Sequence, residues 1–221
     1  MSHDAAPMIP EKPFSLTLPT NGGVSYILLG ASRSGKTTLM KYLIHKYAPK
    51  QFLFFTSFND HADIYTDLPK RTMIMSEFYP SIIKDFHTLN RTCKNKYKSI
   101  FVYDDAVGNK LKNDPQITKL LTIYRNSHMS SLFSAQSPTL VSPAGRSNGN
   151  YIFLFKLNAS KEIELTVKDF LVSHLPTSMR MSEKIQWFNN ATADHHFLFI
   201  DNINNTICRC KLTPEQIAYM D

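Results

Sequence analysis

From Val24 onward, short runs of apolar and β-prone residues alternate with longer segments whose apolar residues recur at helical spacing. That alternation predicts an α/β sheet with crossover helices. Residues 24–29 form the first strand and run into a loop holding Gly30 and Gly35; Met40, Leu43, Ile44 and Tyr47 then share one face of a helix that Pro49 ends. Strands follow at 51–56 and 72–75, and Pro80 opens a helix with Ile82, Ile83 and Phe86 inward. Residues 99–103 make a strand that closes on Asp104 and Asp105, with 108–113 as a loop behind it. Asp114 and Pro115 start a helix that places Ile117, Leu120, Leu121 and Tyr124 on one face and ends near His128. A strand at 131–135 carries Gln136 at its carboxyl end, and a connection rich in Pro, Gly and Asn leads from 137–150 to a strand at 151–157. Beyond it, 161–171 reads equally as helix or strand and 178–190 as helix. Residues 196–200 and 206–212 pair as a hairpin, and Thr213, Pro214 and Gln216 make a capping box for a last helix.

The 221 residues, 43% of them apolar, suffice for one core, so a single domain over 21–221 follows a proline-bearing arm at 1–20. The arm lacks the apolar segment of a secretory signal, and no uninterrupted apolar run reaches the roughly 20 residues of a membrane-spanning helix, so no membrane span is expected. Lys and Arg exceed Asp and Glu by 25 to 18, a balance that suits a polyanionic partner without naming one. Cys93, Cys208 and Cys210 are too few for a disulfide framework and indicate a reducing compartment.

The strongest chemical signal is Gly30-Ala31-Ser32-Arg33-Ser34-Gly35-Lys36-Thr37, a full P-loop pattern between a strand and a helix. Its glycines allow backbone N–H groups to curl around phosphate oxygens, and the helix start adds positive dipole. Lys36 reaches the outer phosphates, Thr37 offers a hydroxyl to Mg²⁺, and Thr38 opens the helix behind them. A second acidic site completes such a loop, and Asp104 at the end of an apolar strand supplies it, as a partner for Mg²⁺ or its water. Asp105 is then placed to poise the attacking water, which favours hydrolysis over binding alone; the alternative is a carboxylate that merely opens a turn. Gln136, at the end of the following strand, can hydrogen-bond both the γ-phosphate and the water.

Three segments together resemble the viral genome-packaging ATPases of the FtsK/HerA superfamily, especially the small type of poxviruses, other large DNA viruses and virophages. They are residues 28–37, the run Phe101-Val102-Tyr103-Asp104-Asp105, and Arg125-Asn126-Ser127-His128 leading through 131–134 to Gln136, with Arg146-Ser147-Asn148 also similar. The likeness covers 24–157. It departs from the family where Asp105 stands in place of the more usual Glu, and where Asn126 and Ser127 separate Arg125 from His128. The resemblance implies a RecA-like (ASCE) P-loop NTPase fold in which the sensor strand lies between the P-loop strand and the acidic strand. It implies ATP with Mg²⁺, and a homo-oligomeric ring, pentamer or hexamer, that drives double-stranded DNA into a capsid through a vertex or portal protein. The working place would be host cytoplasm or nucleus where virions assemble. Arg125 and Arg146 are candidates to complete a neighbour's site, and Arg33 could act within its own subunit. DNA contact would be electrostatic and indifferent to sequence, with Arg91, Lys94, Lys96 and Lys98, or Lys110 and Lys112, as candidate contacts.

Two other readings stay open on the residues alone. A nucleoside or nucleotide kinase shares the P-loop and the length, with Arg180 as a thin lid candidate, and a nucleotide-dependent scaffold would bind ATP and barely turn it over. Cys208 and Cys210 lack further ligands at zinc spacing, and His195, His196 and Trp187 read as ordinary packing or surface.

Overall fold

The structure, a computed structural model, describes residues 9–58, 65, 67–105 and 109–218. Eight strands form one sheet: β1 (Ser25–Leu29), β2 (Phe52–Ser57), β3 (Thr72–Met75), β4 (Ser99–Asp104), β5 (Met129–Ala135), β6 (Tyr151–Leu154), β7 (Phe197–Asp201) and β8 (Thr206–Cys210). Their spatial order is β3-β2-β4-β5-β1-β6-β7-β8. Pairing is parallel from β3 through β6, and β7 and β8 are antiparallel additions at one edge. Strand β5 lies between β1 and β4 and pairs with both, the order that the resemblance implied.

Helices flank the sheet: α1 (Lys36–Tyr47), α2 (Pro80–Thr92), α3 (Asn109–Asn113), α4 (Pro115–Thr122), α5 (Pro143–Asn148), α6 (Ser160–Thr166), α7 (Met181–Ala191) and α8 (Pro214–Ala218). Every residue of β1, β4 and β5 is buried, because helices cover both faces of the central strands. Tyr26 and Leu28 therefore pack with α1 on one face, where Leu39, Met40, Leu43 and Ile44 meet them, while Ile27 and Leu29 turn to Phe170, Leu171 and Phe188 on the other. Asp114 caps α4, its carboxylate accepting from the backbone N–H groups of Gln116 and Ile117.

Several elements differ from the sequence reading. The loop expected at 108–113 is helical from Asn109, as α3, with Gly108 outside the described residues. The connection at 137–150 holds a 3-10 turn (Pro138–Leu140) and α5, which Ser142 caps through Gly145 N–H. Helix α4 stops at Thr122, and a 3-10 turn (Tyr124–Ser127) carries the chain to His128, whose φ of 57° reverses it into β5. Residues 161–171, left between helix and strand, are helical throughout, α6 passing into one π-type turn. Strand β6 ends at Leu154 and the last hairpin strand at Cys210, both short of expectation. The capping box at Thr213 and Gln216 forms as predicted, each residue's side chain accepting from the other's backbone N–H.

The arm expected at 1–20 is packed down from residue 9. Pro10 and Lys12 hydrogen-bond to Arg209 of β8 and cover that sheet edge, and Phe14 is 2% exposed against the edges of Tyr42, Phe153, Phe197 and Phe199. Phe14→Ala is expected to lower stability by about 3 kcal/mol in urea unfolding, the ordinary cost of emptying a buried phenyl site; a change under about 0.5 kcal/mol would show a detachable arm.

Candidate functional site

Parallel strands deliver the site residues to one end of the sheet. Leu29, Asp104 and Ala135 end β1, β4 and β5, and the residues that follow each strand emerge together. Gly30 N–H bonds to Ala135 carbonyl at 3.2 Å, so the P-loop starts beside the residue that precedes Gln136. The loop must be tight here: a Cβ on Gly30 would stand 2.5 Å from Phe155 Cβ and 2.7 Å from Ser34 Oγ. Gly35 enters α1 at φ 103° and caps it without a side chain, leaving the first N–H groups of the helix to face an anion. Ser34 Oγ is buried and makes no hydrogen bond among the described residues. Loop curvature, open helix start and orphaned hydroxyl fit a bound phosphate chain.

Lys36 folds back onto its own loop, its Nζ donating to the carbonyls of Gly30 (2.7 Å) and Ala31 (2.8 Å). Burial pulls the pKa of its ammonium down, against the charges of Asp105 and Asp104, which pull it up. A γ-phosphate in the loop would replace two neutral carbonyls with a charged acceptor, so Lys36 gains a stronger bond on swinging out.

The acidic pair divides in two. Asp104 is 3% exposed; burial raises its carboxyl above the usual range, opposed by the Tyr65 hydroxyl, which donates to Oδ2, and more weakly by Lys36. Asp105 follows at φ 52°, a left-handed turn at the end of β4. There Gln136 Nε2 donates to both carboxylate oxygens, at 2.9 Å and 3.1 Å. The Asp104 carboxylate and the hydroxyl of Thr37, which follows Lys36, are the oxygen donors a magnesium ion prefers, and Mg²⁺ held by them would neutralise phosphate charge.

P-loop, Asp104, Asp105 and Gln136 therefore come together as the sequence reading placed them. Arg125 and Arg146 do not join them from within the chain. Arg146 is held by its own subunit: Nη1 donates to the carbonyls of Pro138 and Val141, and Nε pairs with Asp169 at 3.0 Å. Arg125 lies at the opposite end of the sheet, where its carbonyl accepts from Gly23 N–H and its guanidinium donates to Asn150 Oδ1 at 2.9 Å. Arg33, at φ 61°, is exposed at the rim of the loop. Arg91, in the last turn of α2, and Lys94, Lys96 and Lys98, on the connection entering β4, are exposed, also at the far end. Lys112 stands on α3, behind the acidic pair, and the side chain of Lys110 lies outside the described residues.

Sequence reasoning passed over other lining residues. Because β7 runs antiparallel to β6, and β8 to β7, the residues before β7 and after β8 return to the P-loop end. A cavity of about 440 Å³ is lined by residues 31–34 on one side and by Lys156, Asn158, Asp194, His195 and Lys211 on the other. Tyr65, 3% exposed, was likewise missed. No local motif marks these residues; only the sheet order brings them here.

A P-loop strand, an amide-bearing strand and an acidic strand, in adjacent parallel positions, decide the architecture. This is the RecA-like P-loop NTPase fold. No family model and no curated relative matches the sequence. Among solved structures, the chain is similar to the genome packaging NTPase B204 of Sulfolobus turreted icosahedral virus 2, solved with AMPPCP, at TM-score 0.61 and 17% identity over 88% of this chain and 100% of that one. It is also similar to the pCW3 conjugation coupling protein TcpA (TM-score 0.60, 14% identity, 95% of this chain and 66% of that one). A third likeness is to ATPases 2 and 3 of EssC from Geobacillus thermodenitrificans (0.59, 12%, 91% and 43%). These share the P-loop NTPase fold with this chain. Gln136→Ala is expected to leave nucleotide affinity within about threefold of wild type and to slow phosphate release by about 10², the size of a lost acid–base partner, if the carboxylate that its amide holds serves as the base; undiminished release would remove Gln136 from the site.

Proposed function

We propose that this chain is an ATP-hydrolysing motor that drives double-stranded DNA into a viral capsid. The observation that carries the hydrolytic part is the Gln136–Asp105 pair beside the P-loop. One amide bonds both oxygens of the carboxylate and also stands next to the start of the phosphate loop. In the loaded site Lys36 binds the outer phosphates, Thr37 and Asp104 hold magnesium, and Asp105 accepts a proton from the attacking water. Gln136 can then trade Asp105 for the γ-phosphate, which links the readiness of the base to the nucleotide bound.

The packaging part rests on the motif resemblance and on the likeness in fold to B204. A motor indifferent to sequence must hold the phosphate backbone, and the net charge of +7, with four exposed cations before β4 and Lys112 behind the acidic pair, suits that task. In a ring, Arg125 and Arg146 are both candidates for a neighbour's site, and each would have to change partners to act there, Arg125 leaving Asn150 and Arg146 leaving Asp169 and two carbonyls of its own subunit. A ring of five or six subunits, a capsid vertex or portal as docking partner, and action in host cytoplasm or nucleus at assembly sites complete the proposal. The kinase alternative has only Arg180 for a lid, an exposed residue at the start of α7 whose backbone N–H is held by Glu183.

Two measurements test this. Asp105→Asn should bind ATP within about threefold of wild type and lose hydrolysis by at least about 10³; equal loss of both would deny it a separate catalytic role. Duplex DNA should stimulate phosphate release, and raising salt from about 50 to 200 mM should weaken the half-saturating DNA concentration by more than about tenfold, because phosphate contacts release counterions. Phosphate transfer to a nucleoside acceptor in place of release would convert the reading to a kinase.

A further inference from the structure

We propose that the nucleobase of the bound nucleotide is held by the carboxyl-terminal hairpin, in a slot gripped by His195, Leu212 and Ile217; this rests on the P-loop reading above. The direction of the nucleotide follows from the sheet order. Asp105 and Gln136 sit on the β4–β5 side of β1, so the terminal phosphate points that way and the base must leave on the other side, toward β6, β7 and β8.

On that side the chain has built a slot. A cavity of about 280 Å³ at the loop mouth is lined by Arg33, Gly35, Lys36, Thr37, Thr38 and His195. It adjoins a second of about 130 Å³, reached past the shared residues Gly35, Thr38 and His195. The walls of the second are mostly apolar: Leu39 from α1, Phe155 after β6, Phe197 at the start of β7, and Leu212 and Ile217 after β8. A polar cavity at a phosphate loop that continues into an apolar slot has the division of chemistry of a nucleotide, charged at one end and flat and apolar at the other.

Two features show that the slot is held in shape. Asp194 and His195 take φ of 54° and 60° in succession, a turn without glycine whose cost the surrounding contacts must cover. They do so through His196, whose N–H and ring both meet Ala193 carbonyl at 3.0 Å and whose ring faces Glu11 of the arm. On the other wall, Gln216 Nε2 donates to Phe14 carbonyl (2.8 Å) and to Tyr42 hydroxyl (3.2 Å), tying α8 to α1 and fixing Ile217 beside Thr38. Ile217 is 44% exposed, apolar surface that a stacked base would cover.

The test compares magnesium ATP with magnesium tripolyphosphate by titration calorimetry on the full chain. Wild type should bind ATP at least about tenfold tighter than tripolyphosphate. Ile217→Glu puts charge at a solvent-facing position that lines only the second cavity and should weaken ATP by about tenfold with tripolyphosphate unchanged, the size expected for a lost stacking surface; His195→Gly suits the positive φ, removes a ring that lines both cavities, and should weaken ATP by about tenfold more than tripolyphosphate. Unchanged ATP affinity in both variants, equal loss of both ligands, or equal affinity of wild type for the two ligands would overturn the slot. Failure of wild type to bind either ligand would overturn the P-loop reading itself, and the slot with it.

Discussion

Parallel pairing of β5 with both β1 and β4 is the constraint on which the site depends. Each strand ends in a residue whose side chain or successor is chemical, and in a parallel sheet all such ends lie on one edge. A strand slipped by one residue would exchange the side chains packed in the clusters on its two covered faces, so the core fixes the register as the hydrogen bonds do. Ser134 pairs with Leu28 and Tyr103 with Phe133, which leaves Asp104, Asp105, Gln136 and Gly30 within reach of one another. No loop has to search for that arrangement.

Burial then gives the two neighbouring acids different characters. Asp104 sits inside the sheet end, where lost hydration raises its pKa until a cation or hydrogen-bond donor compensates. Asp105, one residue on and turned by a left-handed φ, stands half-exposed against an amide. A carboxylate that needs a cation and one that faces water are the two that metal-assisted hydrolysis requires. Lys36, resting on loop carbonyls, supplies the third charge and is free to exchange partners.

The segments of the candidate phosphate site were legible in the sequence because each is short and contiguous. Residues 30–37, the pair 104–105 and Gln136 each sit at the end of an apolar strand whose pattern is unmistakable. The base end was illegible because it is assembled from α1, the segment after β6, the turn at 194–195 and residues 211–217, which only antiparallel pairing at the sheet edge brings together. His195 read as an ordinary surface residue since nothing local marks its backbone or its neighbours. Short helices were missed for a related reason: α3 has five residues and α5 six, too few to show a period, although Ser142 and Pro143 carry the start signal of α5. How the arm is anchored was illegible as well, because four prolines show no period and the single Phe14, among four aromatic rings, ties it to the core.

Calorimetric titration of wild type and Lys36→Ala with magnesium ATP is the most direct measure of the central claim, that the loop opening α1 is a triphosphate site. The account predicts saturable one-site binding to wild type and a loss of at least about 10² in affinity on removal of the ammonium, which is the group that leaves two carbonyls for the outer phosphates. Equal affinity of the two proteins would contradict it.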